Sequence, residues 1–259
     1  MKKIVRYVKE DIISIPDYSS FFRGKTILIV AATSDIGVVI ARSFANSGAD
    51  IFVTGRSNEK LSQLFDYIPS SNRIKLDIKE TGSIEGIFDR EVFSEKKIDY
   101  VINCAGLITS NERNGLFSVS ENEWNDSVDV NLYSNVDLYY AYKKHCELCS
   151  NDGTLLIISS IDGTRTIGSL YGSSKSLLNY FIKDVALNEE TIKIFGIAPG
   201  PVATKMMGDD YKKSYYRLDH PDSRCAVPQD VSNIVLETCA LRDALKCGTI
   251  VKVDGGYTL

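Results

Sequence analysis

From residue 25 onward, short apolar runs alternate with longer stretches of helical periodicity. The apolar runs Thr26–Ala31, Asp50–Thr54, Arg73–Leu76, Tyr100–Asn103, Leu155–Ser159, Lys193–Ala198 and Thr249–Val253 have the length and β-branched content of strands. Helical segments between them begin near Ile36, Glu59, Ser83, Glu121, Tyr171 and Asp230. Strands that alternate with helices pair in parallel through right-handed crossovers. The pattern predicts an α/β fold: a doubly wound, mostly parallel seven-stranded sheet with helices on both faces. Such a sheet binds ligands at the carboxyl ends of its strands, where the winding reverses.

A chain of 259 residues with 44% hydrophobic content can bury one full core. The expected organisation is an N-terminal extension over 1–24, a surface tail or subunit-contact segment in preference to a flap over the active site, followed by a single domain over 25–259. The formal charge of −4, with Lys and Arg scattered, gives no basic surface for a nucleic acid. The basic start, Met1-Lys2-Lys3, reaches no apolar run of the length of a signal peptide or membrane span, so no membrane partner and a cytoplasmic location are expected. His145 with Cys146-x-x-Cys149 invites a metal, but Cys104, Cys225, Cys239 and Cys247 supply no convincing second pair. The cysteines read as reduced structural thiols, with no metal, and neither His145 nor His220 has the company of a catalytic triad.

The chemistry concentrates at strand ends. Tyr171 and Lys175, four apart on a helix, share one face. A neighbouring ammonium favours phenolate, so the Tyr171 pKa is expected to fall. Ser160 stands eleven residues earlier, at the end of the fifth strand. The first strand opens into Val30-Ala31-Ala32-Thr33-Ser34-Asp35-Ile36-Gly37 and then an apolar helix, whose N-terminus suits a phosphate. Here Ala31 is expected to accept a turn of negative φ, and Asp35 to turn back and cap the helix amides. The second strand ends at Gly55, without an acid, followed by Arg56.

These motifs together resemble the short-chain dehydrogenase/reductase family, from about Gly24 to the C-terminus. That family opens with Thr-Gly-x-x-x-Gly-x-Gly; here Val30, Ala31 and Asp35 depart from it and Gly37 survives. Asn103-Cys104-Ala105-Gly106 resembles its Asn-Asn-Ala-Gly, and Pro199-Gly200-Pro201-Val202-Ala203-Thr204 its nicotinamide-amide segment. The resemblance implies a catalytic set of Asn131, Ser160, Tyr171 and Lys175. It also implies a dinucleotide held by Ala31, Thr33, Ser34, Asp35, Ile36, Gly37, Arg56, Asp77, Asn103, Ala105, Gly106, Tyr171, Lys175, Pro199, Gly200, Val202 and Thr204. An acid at position 55 would bind the adenosine ribose and repel a 2′-phosphate; with Gly55 and Arg56 there, NADP(H) is favoured over NAD(H).

The expected activity interconverts a ketone and a secondary alcohol. A sugar or sugar nucleotide, suggested by the tyrosines, lysines and arginine of 205–217, and a 3-oxoacyl thioester both stay open as the small-molecule carbonyl or alcohol substrate. A non-catalytic dinucleotide-binding sensor or scaffold is the alternative that the altered glycine loop leaves. The wall Ile161–Leu170 is shorter than in many relatives. The family usually assembles as a homodimer or homotetramer; Tyr133, Tyr139, Tyr140 and Tyr142 could serve that interface or the core.

Overall fold

The structure, a computed structural model, describes residues 18, 20–80, 82–94, 96–165, 168–208, 221 and 223–258. Residues 1–17 of the extension, the tyrosines at 211, 215 and 216, and His220 lie outside them. Seven strands form one parallel sheet: β1 (Thr26–Val30), β2 (Asp50–Gly55), β3 (Arg73–Lys75), β4 (Tyr100–Asn103), β5 (Thr154–Ile158), β6 (Lys193–Pro199) and β7 (Ile250–Val253). Their order is β3-β2-β1-β4-β5-β6-β7, with every pairing parallel. The predicted strands stand, with ends moved by at most one residue.

Because helices cover both faces, strand residues are buried whichever way they point. On one face Ile27, Ile29, Val53, Ile102 and Phe195 pack on α1 (Asp35–Asn46) and α7 (Pro228–Ala240). On the other, Leu28, Val30, Phe52, Val101 and Leu155 meet α5 (Ser134–Leu148) and α6 (Leu170–Asn188). Phe22, at the end of the extension, is fully buried and sets its ring edge-on to Phe44 and Tyr100. Three shorter helices, α2 (Asn58–Leu64), α3 (Glu85–Phe88) and α4 (Glu121–Val128), complete the layers.

Local chemistry sets the helix starts. Ser34, Ser57, Ser120 and Ser169 cap α1, α2, α4 and α6, each accepting from an amide three residues on. Between α4 and α5 the chain makes one π turn, Asp129–Tyr133. Two side chains hold its carbonyls: Ser134 Oγ donates to Val130 O and Asn135 Nδ2 to Asn131 O. The four tyrosines of this region divide. Tyr142 is fully buried and Tyr139 nearly so, whereas Tyr133 and Tyr140 are exposed. The core reading therefore holds for one pair, and the surface keeps the other.

Candidate functional site

At the carboxyl ends of β1, β4, β5 and β6 lies a crevice of about 720 Å³. Thr33, Ser34, Asp35 and Ile36 line it from the start of α1, and Ala105 and Gly106 from the end of β4. Ser160 comes from the end of β5, and Tyr171 and Lys175 from the first turns of α6. Pro199, Gly200, Val202 and Thr204 close the side beyond β6. The expected residues Ala31, Gly37, Arg56, Asp77, Asn103 and Asn131 are not among its lining residues. Arg56 is exposed, beyond the rim, and Asp77 binds its own turn, accepting from the Lys79 amide.

The other absentees support the site from behind. Gly37 is packed so tightly that a Cβ there would stand 2.8 Å from Ala32 Cα and Ala32 O. Asn103 donates to Asn135 Oδ1 at 2.8 Å and accepts from the Ala105 amide at 3.0 Å, fixing the turn after β4. Asn131 is fully buried; it exchanges two hydrogen bonds of 2.9 Å with the amide and carbonyl of Leu107.

Two expectations about the first loop are corrected. Ala31 adopts φ 55°, the left-handed region, rather than a negative-φ turn. Its amide donates to Thr54 Oγ1 at 3.1 Å, so β2 pins the conformation that glycine adopts more readily. Asp35 does not cap α1, because Ser34 already accepts from the Gly37 amide at 3.1 Å. Asp35 Oδ2 accepts instead from the Lys205 amide at 2.9 Å, tying the segment after β6 to the start of α1. Gly55 has its own cause: a Cβ there would lie 2.6 Å from Thr33 Cγ2, in space the Thr33 side chain fills.

Where β5 meets α6, the Ser160 side chain is near enough to the Tyr171 phenol to pull its pKa down, and Ser160 Oγ accepts from the Asp162 amide at 3.1 Å. Lys175 Nζ lies 5.7 Å from the Tyr171 ring centre and donates to Ile158 O at 3.0 Å. The expected fall of the phenol pKa is overturned. Burial pushes Tyr171 well above the usual tyrosine range, Asp162 and Glu112 push it the same way, and only the Ser160 hydroxyl opposes them. Lys175 carries the opposite displacement: burial holds its ammonium down at about 8.

Several lining residues carried no motif. Lys60 enters from α2, Ile108 from the loop after β4, and Tyr257 from beyond β7. Tyr257 lies under the Arg165 guanidinium at 5.1 Å, and Arg165 pairs with Asp162 at 3.1 Å. Glu112, buried behind Tyr171, also gave no sign; only its distance from the strand end, set by tertiary packing, could locate it. Among the described residues no group of His, Cys, Asp and Glu could hold a metal. Cys149 Sγ stands 3.8 Å from His145 Nε2, but Cys146 is fully buried against Tyr142. No helix among the described residues is long and apolar enough to cross a membrane.

The residues present suit a dinucleotide. The α1 N-terminus faces the crevice, Gly106 keeps its floor low, and the nearby carboxylate of Asp35 is occupied by a backbone donor. The chain is 27% identical to the 3-oxoacyl-[acyl-carrier-protein] reductase of Escherichia coli strain K12, across 91% of this chain and 98% of that protein. To the enzyme of the same description from Chlamydia pneumoniae it is 24% identical, across 91% and 97%. Two solved structures share the fold. A short-chain type dehydrogenase/reductase from Mycobacterium ulcerans matches with TM-score 0.80 at 21% identity, across 91% of this chain and 90% of that one. ElxO with NADP bound matches with TM-score 0.79 at 23%, across 90% and 98%. A family model described as enoyl-(acyl carrier protein) reductase matches residues 30–258. With that match across most of its length, the chain belongs to the short-chain dehydrogenase/reductase family of NAD(P)-dependent oxidoreductases.

Proposed function

We propose that this protein is an NADPH-dependent carbonyl reductase that interconverts a ketone and a secondary alcohol. One observation carries the reading: Ser160, Tyr171 and Lys175 converge on one wall of the crevice, with the serine side chain beside the phenol. A bound nicotinamide supplies or accepts the hydride. The protein's share is the proton and the placement of the carbonyl. Ser160 donates to the carbonyl oxygen and orients it. Tyr171, kept as a phenol by its burial, gives that oxygen its proton in reduction and takes one back in oxidation. Lys175, beside the ring, offsets the charge left on the phenol oxygen and would hold the nicotinamide ribose. Asn131, by fixing Leu107, shapes the floor beneath them.

Preference for NADPH is supported by the closed space at Gly55, which admits no acid, and by two cations near the end of β2, Arg56 on the surface and Lys60 in the crevice. The ElxO structure with NADP bound agrees with it. Either a hydroxylated or a thioester-bound ketone fits the mixed lining of Asp162, Arg165, Ile108 and Met206. A cytoplasmic homodimer or homotetramer is part of this reading, and exposed Tyr133, Tyr140 and Tyr180 supply aromatic surface for it.

The test is a titration of purified protein with NADPH and NADH, followed by a carbonyl screen with wild type and Tyr171→Phe. Tight NADPH binding in both proteins, with turnover in wild type alone, is expected. Binding of neither dinucleotide would put the scaffold reading first.

A further inference from the structure

The loop between β4 and α4 is bound to the protein at three places. At its start, Leu107 is clasped by Asn131. Midway, Glu123 of α4 accepts from Ser110 Oγ, the Asn111 amide and Asn111 Nδ2. Directly after Asn111 stands Glu112, 8% exposed, whose Oε1 accepts from the Tyr171 amide at 2.5 Å.

That amide belongs to the first turn of α6, where no intrahelical carbonyl can serve it. Ser169, the cap, already serves the next one, accepting from Gly172 at 2.9 Å. Glu112 therefore supplies from 59 residues away what the local sequence does not. The positive end of a 19-residue helix favours the carboxylate there. The rest of its surroundings do not: Oε2 is buried without a hydrogen-bond partner among the described residues, and so is Thr109 Oγ1 in the same loop. A carboxylate half-served and out of water costs stability. A loop merely needing to be anchored would be held as well by a neutral side chain.

We propose that Glu112 is a positioning residue for Tyr171, locking the loop after β4 to the backbone of the residue that carries the proton. The proposal rests on the catalytic reading of Tyr171. Four groups face the phenol: Lys175 from its own helix, Ser160 and Asp162 from the end of β5, and Glu112 from this loop. The two carboxylates favour the protonated phenol and the Ser160 hydroxyl opposes them, so Glu112 contributes charge as well as geometry.

The experiment uses the full chain with Glu112→Gln and Glu112→Ala. Hydrogen exchange at the Tyr171 amide reads the latch without turnover. It should quicken about tenfold or more in Glu112→Ala and stay near wild type in Glu112→Gln, which keeps an acceptor. In NADPH-dependent reduction, Glu112→Ala should lose about tenfold in kcat with NADPH affinity unchanged within about twofold, and Glu112→Gln should recover most of that loss. The limb of the pH profile that reports the phenol should move to lower pH in both. Unchanged exchange in Glu112→Ala overturns the latch. Faster exchange with wild-type kcat and pH profile in both variants reduces Glu112 to a structural residue and overturns the proposal. A wild type that binds NADPH but turns over no carbonyl sinks the catalytic reading and this role with it, while exchange still reports the latch.

Discussion

Lys175 stores a cost that a single substitution should release. Its amine is almost wholly buried, donates to a neutral carbonyl, Ile158 O, and stands over the Tyr171 ring, with no carboxylate in salt-bridge contact among the described residues. Burial takes it from the ordinary 10.5 to about 8. The folded chain therefore binds fewer protons than the unfolded one between those values, and unfolding stability rises with pH across that window. At about 1.4 kcal/mol per pH unit, charging this site costs the folded chain about 3 kcal/mol below pH 8 and nothing above about pH 10.5. Lys175→Met removes the charge and also the bond to Ile158 O, worth about 1 kcal/mol. The variant should be about 2 kcal/mol more stable than wild type at pH 7, with that advantage gone, to within about 0.5 kcal/mol, by pH 10. Urea unfolding of both proteins at pH 7, 8.5 and 10, without dinucleotide, measures the difference. Taking the difference cancels the titration of tyrosines common to both. A variant less stable at pH 7, or a difference that does not change with pH, would refute an amine desolvated in the folded state.

Two other substitutions test the frame. Gly55→Asp drives a side chain into Thr33 and puts a carboxylate at the end of β2, where it would repel the 2′-phosphate of the proposed NADPH. NADPH affinity should drop about tenfold or more while NADH affinity changes less, read by fluorescence titration. Tyr142→Phe deletes a fully buried hydroxyl that donates to Ile98 O at 2.7 Å and accepts from the Thr154 amide at 3.2 Å. The loss should be about 1–3 kcal/mol in urea unfolding, with dinucleotide binding intact; a loss below measurement error would show that the two groups find water instead.

The sheet was legible because a parallel strand buried on both faces must be apolar throughout, as Ile27–Val30 and Leu155–Ile158 are. Ser160, Tyr171, Lys175, Pro199 and Gly200, singled out by motif at strand ends, all come to line the one crevice, because a parallel sheet gathers its strand ends on one side. What escaped depends on partners far along the chain. Ala31 takes a left-handed turn because Thr54 receives its amide. Asp35 leaves the cap because Ser34 fills it and Lys205 offers another donor. Spacing puts Tyr171 and Lys175 on one face but does not give the dielectric around them, so the direction of the phenol's shift could not be read. Glu112 had no periodicity to mark it, since an irregular loop carries none.

The crevice draws its lining from Thr33 at one end of the chain to Tyr257 at the other. During synthesis, then, the crevice gains its full lining only when the last strand has left the ribosome and joined the sheet. A ligand held by all of those walls favours the finished molecule, and adds RT ln(1 + [L]/Kd) to its stability. A cell's supply of nucleotide thereby becomes a term in how long each copy survives proteolysis, so starvation for cofactor would lower the amount of this protein as well as its rate.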